Sequence, residues 1–194
     1  MDRVFITAAS QVTEVNLRAA RLGTRFRRLD LASQLALLAV ESLSIDFDAL
    51  PRDRVGICLG VRTGSLAADC EYWRGRDAVG GPSPTLFTYT LPSAAIGEIA
   101  IRHRLTGPNL CLVGEDTVLS EAGDWLQRGE VEACLCVGCD VVTPSLGEMI
   151  QATPVARACA LFLRRGGGGW RQFGENDRDM ESLCAAFCAE IAAR

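Results

Sequence analysis

The chain has 194 residues and a formal net charge of −4, with 48% hydrophobic and 23% charged positions. That balance predicts a globular domain large enough to bury a core, and an acidic chain without a basic cluster speaks against nucleic acid as the main partner. All twenty basic residues are arginine, which excludes lysine Schiff-base chemistry and a P-loop. No apolar run reaches the 18 residues of a membrane span and no leader-like start is visible, so a cytoplasmic protein without a membrane partner is expected.

In chain order, residues 4–8 read as a strand. Residues 31–43 carry Leu35, Ala36, Ala39, Val40 and Leu43 at the spacing of an amphipathic helix. Pro51 breaks the connection, and 55–61 is a second strand. Residues 64–73 form a short helix, and 75–84 a loop rich in glycine and proline. Residues 93–104 are helical, with Ile96, Ile99, Ala100 and His103 near one face. A buried strand at 110–113 leads into a helix at 117–128, closed by Gly129. Strands follow at 133–137 and 158–163. Residues 166–169 read as a flexible glycine hinge before a last helix at 180–193, with Leu183, Ala186, Phe187 and Ile191 aligned. The alternation predicts an α/β fold with a mainly mixed sheet and helices on both faces. Residues 1–165 make the principal unit, and 166–194 the hinge and helix of the same domain.

Nine cysteines invite a metal or disulfide reading. Cys134, Cys136 and Cys139 form a C-x-C-x-x-C run, but within a short apolar strand and with no fourth ligand at a usable spacing. Cys184 and Cys188 are one helical turn apart. Packing as small hydrophobes fits both groups, and an odd count without an export signal fits reduced thiols. Neither a metal nor a cofactor is expected.

Residues 106–116 (TGPNLCLVGED) read as a turn, a buried strand and an abrupt helix start. This segment resembles the nucleophile elbow of the β-ketoacyl synthases. Residues 83–108 (SPTLFTYTLPSAAIGEIAIRHRLTGP) are similar, without a gap, to the stretch that leads into that elbow. Residues 133–140 resemble the strand after the nucleophile helix, and 156–163 the strand that closes the first half of the enzyme. The resemblance covers residues 1 to about 165 and implies the N-terminal half of a thiolase fold. The wording around TLFTYTLP and GEIAIRH is most similar to short chain length factors of aryl polyene pigment clusters.

The resemblance implies a reactive cysteine at the elbow, and Asp116 stands there instead, with Glu115 beside it. The family's two catalytic histidines lie in a second half, outside these 194 residues. His103, the chain's one histidine, falls where the family has no catalytic residue and reads as a satisfied helix histidine. Aspartate is a favoured helix cap, and a helix N-terminus stabilises its charge. The expectation is therefore a chain that condenses nothing alone. It would instead pair with a catalytic ketosynthase as a heterodimer and serve an acyl carrier protein, in fatty acid-like or polyketide assembly. The family interface falls on Asn109, Leu110, Cys111, Leu112 and Val113. The acyl-channel wall falls on Ala68, Tyr72, Trp73, Leu86, Phe87 and Tyr89, for which ordinary core packing is the plainer alternative; Trp125 reads as core. Arg62, Arg74 and Arg76 are candidates to meet the acidic carrier. Half a thiolase fold should also expose an apolar face. Two other readings stay open: a stand-alone Asp-dependent thioester hydrolase using Asp116 and Glu115, and a degenerate homodimer that binds the acyl carrier.

Overall fold

Two strands without polar alternation organise the molecule. β2 (Val55–Val61) and β4 (Ala133–Val142) are buried at every residue, the pattern of strands enclosed between helix layers. β3 (Asn109–Val113) and β4 lie parallel on either side of β2. β5 (Val155–Arg165) returns antiparallel along β4, β1 (Val4–Thr13) runs antiparallel on β5, and β6 (Arg171–Gln172) on β1. The order is β3-β2-β4-β5-β1-β6, a mixed six-stranded sheet. This computed structural model describes residues 3–20, 23, 26–114, 116–166, 168–174 and 177–192, with 116, 191 and 192 described by backbone alone.

Strand alternation sorts the central residues onto two faces. Ile57, Leu59, Leu135 and Val137 point toward α2 (Leu31–Ser42) and α5 (Ala94–His103). The Asp30 side chain starts α2 by accepting from the amides of Ala32 and Ser33, both at 3.2 Å. The expected amphipathic stripe of α2 is wider than its spacing implied, because Leu37 and Leu38 are buried too. A helix covered by the sheet below and by neighbouring helices needs no wet face.

The other face is built from small residues. Cys58, Cys134 and Cys136 point toward α6 (Asp116–Arg128) and α8 (Met180–Ala192). A methyl added at Gly56 would come within 3.0 Å of the Trp125 ring, so the missing side chain lets α6 lie close to β2. Trp125 is core, as its place in the sequence suggests.

Chain past β5 is tied to β1. The Gly166 amide donates to the Arg3 carbonyl at 2.8 Å, and Trp170 to Ile6 at 2.9 Å. A Cβ at Gly169 would sit 2.7 Å from the Ile6 carbonyl oxygen. The glycine run read as a hinge thus has its flanks hydrogen-bonded to a strand. It delivers α8 onto β1 and β5, where Leu183, Cys184 and Phe187 complete the core and Trp170 meets Phe187 edge-on at 5.0 Å. The expected bare apolar face is corrected here: helices cover both faces of the sheet. Among the described residues the large exposed apolar side chains sit elsewhere, with Trp73, Phe87, Leu91 and Val113 among them. The sequence reading also lacked α1 (Glu14–Ala19), α4 (Pro84–Phe87), α7 (Pro144–Ile150) and β6.

Candidate functional site

β3 is the outermost strand of the sheet, with one side free. Leu110 and Leu112 pack toward α6 while Cys111 packs toward α5 and α2. Val113, 84% exposed, ends the strand. Gly114 then turns at φ 103°, its amide donating to the Val61 carbonyl at 2.9 Å, and α6 begins at Asp116. Positive φ makes glycine the fitting residue at this elbow. Glu115 and the Asp116 side chain lie outside the described residues.

Close to the carboxyl ends of β2 and β4 lies a cleft of about 420 Å³, a volume suited to a small ligand or a short chain. Leu29, just before α2, and Leu31 and Ala32 at its start form one wall. Ala67 and Ala68 of α3 (Leu66–Arg74) form another, with Leu86, Tyr89 and Val141 completing the apolar lining. Of the six channel candidates, the structure brings Ala68, Leu86 and Tyr89 to this cleft. Tyr72 instead packs on Phe87, ring centroids 5.4 Å apart. Trp73 is 64% exposed, with the Arg76 guanidinium 4.2 Å above its ring.

Three of the cleft's hydroxyls are already engaged. Ser65 donates to the Thr90 carbonyl at 2.8 Å, and Ser83 and Thr143 accept from the amides of Leu86 and Leu146. Burial raises the Tyr89 phenol above its usual pKa, with help from the charge of Glu98. Arg28, Asp30 and Glu71 add charge to the same lining.

Sequence reasoning missed the clamp beneath the cleft. Asp140, 4% exposed, accepts from Arg62 at 3.1 and 2.9 Å and from Thr63 at 2.9 Å. It fastens the turn after β2 to the end of β4, the two segments that supply Gly64, Ser65, Val141 and Thr143 to the cleft. The signal was an acidic residue inside an apolar strand, which burial makes costly without a partner. Arg62, read as a carrier contact, is held in that clamp. Arg74 donates to Ser145, and Arg76 pairs with Asp77.

His103 packs on Phe47 with ring centroids 4.5 Å apart. The expectation of a satisfied histidine needs correcting, because its buried Nε2 has no hydrogen-bond partner among the described residues. Desolvation holds its pKa below the usual value, while Glu41, 3.8 Å away, pulls the other way. Cys58, Cys134, Cys136, Cys159 and Cys184 share one buried cluster, and Cys134 donates to Cys58 at 3.9 Å. That thiol–thiol bond and burial push the Cys58 pKa up, and burial does the same at Cys136. Among the described residues, no group of three or more potential ligands is arranged to hold a metal, and no helix is long and apolar enough to cross a membrane.

The mixed sheet with helices on both faces, and a glycine elbow leading from its edge strand into α6, define a thiolase-like fold of the ketosynthase N-terminal type. Residues 8–157 match the family described as beta-ketoacyl synthase, N-terminal domain, and the chain belongs to that family. No curated protein matches in sequence. Among solved structures, the chain is similar to one described as AntDE:AntF, a type II PKS acyl-carrier protein in complex with its ketosynthase bound to the hexaketide. That match has TM-score 0.67 and 17% identity over 85% of this chain and 63% of the other. It is also similar to the ishigamide ketosynthase/chain length factor, with TM-score 0.67 and 17% identity over 87% of this chain and 64% of the other. A third likeness is to the ketosynthase ApeO in complex with its chain length factor ApeC from Xenorhabdus doucetiae, with TM-score 0.63 and 19% identity over 86% and 80%. The chain spans less than two thirds of the first two, and at these identities the likeness is one of fold.

Proposed function

We propose that this chain is a non-catalytic ketosynthase-like subunit of the chain length factor kind. It joins a catalytic β-ketoacyl synthase along β3 and lends its cleft to the wall of the acyl channel, in polyketide or aryl polyene assembly. The observation that carries the reading is an open, uncharged edge strand running through a glycine elbow into α6; the sequence resemblance puts Asp116 where the family has its cysteine. A carboxylate at a helix start is stabilised as an anion by the helix dipole, and that makes it a weak acyl acceptor. Two of the structural neighbours are named as ketosynthase–chain length factor complexes and another as a ketosynthase with its acyl-carrier protein, which supports these partner classes. Arg27 and Arg28 are exposed beside the cleft, and their charge suits an acidic carrier.

Co-expression with a ketosynthase that carries the intact cysteine and histidines tests the reading. A one-to-one complex should purify, and it should extend carrier-bound acyl chains under conditions where the synthase alone does not. Replacing Asp116 by Ala should leave that extension unchanged. A synthase that needs no partner would overturn the reading. So would thioester hydrolysis by the isolated chain that disappears in the Asp116→Ala variant, which would favour the hydrolase.

A further inference from the structure

A second cavity lies between α2, α5 and the segment that precedes α2. Its volume is about 320 Å³, at the small end of ligand pockets. Phe26, Leu29, Leu37 and Ile101 supply its apolar lining. Leu29 and Leu37 are buried, whereas Ile101 is 59% exposed and open to solvent. The charged side chains of the wall are Glu41, Glu98, Arg102 and Arg104. Three of them are committed. Arg102 donates to Glu41 at 2.7 Å, and the Tyr89 phenol hydrogen-bonds Glu98. Arg104 is the exception. Among the described residues its guanidinium has no ion pair and no hydrogen bond. It also stands at φ 55° in the left-handed cap of α5, where glycine sits without strain and arginine does not. An uncommitted cation is thus held, at a conformational cost, beside an apolar hollow whose other charged groups already have partners.

We propose that this cavity binds a small carboxylic acid with an apolar body, of the size of octanoate. The carboxylate pairs with Arg104, and the chain lies against Phe26, Leu29, Leu37 and Ile101. Guanidinium and carboxylate match as a two-pronged, charge-assisted pair. An ion pair in water contributes little, so burial of the chain supplies most of the affinity and the pair selects the acid. An amine fits less well, because both carboxylates of the wall already accept from a donor. The site shares one lining residue, Leu29, with the cleft and none with β3, and the inference holds whether or not a synthase partner exists.

The test is calorimetric titration of the full chain with octanoate near neutral pH, where the acid is ionised. Octanoate should bind with a Kd below about 1 mM, and octanol, the same chain without the charge, at least about tenfold more weakly. Arg104→Gln removes the charge and keeps a side chain at the cap. It should weaken octanoate at least about tenfold and leave octanol unchanged. Ile101→Trp fills the hollow from its exposed side and should abolish binding of both. Both side chains lie outside the core, so melting temperatures should stay near that of the wild type. If either variant unfolds, amide shifts of Leu37 and Glu41 in the wild type decide: they should move as octanoate is added, and unmoved signals would refute the site. No binding at millimolar octanoate, binding indifferent to either variant, or equal affinity for octanol overturns the proposal.

Discussion

Burial of His103 against Phe47 gives one residue a measurable hold on stability. Its pKa is lowered in the folded chain, so the fold favours neutral imidazole. The unfolded chain binds the extra proton first, near pH 6.5, and stability must drop as pH falls from there toward the folded value. Above that window the contribution is fully present. Melting temperatures of the wild type and of His103→Leu, followed from pH 7.5 to 5.5, check this. The wild type should lose more on acidification than the variant; a constant gap between them would refute the sign. Glu41 and Arg102, the charged groups beside the ring, set how wide the window is.

At the scale of elements, the segment from Gly166 to α8 makes the sharpest prediction. Gly169 has backbone on one side of its missing side chain and Gly168 has open space, though Gly168 sits at φ 74°. Gly169→Val should cost about 1–3 kcal/mol through overpacking, and Gly168→Ala about 1 kcal/mol through its backbone angle alone. Urea midpoints should rank the two in that order. The glycines are visible in the sequence, but their partner strand lies more than 150 residues earlier, and nothing local reports it. β6, two residues long, was illegible for the same reason. α7 did leave a signal, with Thr143 capping and Pro144 opening the helix. The main helices and the buried strands were readable because periodicity is local. At the site, Ala68, Leu86 and Tyr89 came from family likeness. Arg28, Asp30 and Thr143 reach the same cleft from distant segments, brought there by strand order alone.

For the molecule as a whole, the cleft converts shape into an expected product. If its lining forms part of the acyl channel, filling it should shorten the chain that the complex releases. Ala68→Phe adds bulk at a wall that is 5% exposed and cannot yield without strain. The complex bearing it should make shorter products, and Tyr89→Ala longer ones, both at near-normal first extension. Chromatography and mass spectrometry of the released chains would reveal this. Unchanged length in both variants would place the channel elsewhere. Trp73→Ala, outside the cleft, serves as the control.

The cysteine-lined face beneath α6 also gives the chain a built-in clock. A buried thiol is nearly inert to alkylation until the structure around it opens. Cys58, Cys134, Cys136 and Cys159 are sealed below α6 and α8, and Cys184 is buried on the inner side of α8, while Cys188 is exposed and Cys111 sits at the sheet edge. Timed thiol labelling, resolved by site, therefore reads three events from one sample: surface access at Cys188, occupancy of the edge at Cys111, and lifting of the helix layer at the five sealed thiols, with Cys70 and Cys139 reporting separately. Opening of that layer becomes a rate that can be measured without adding any probe to the sequence.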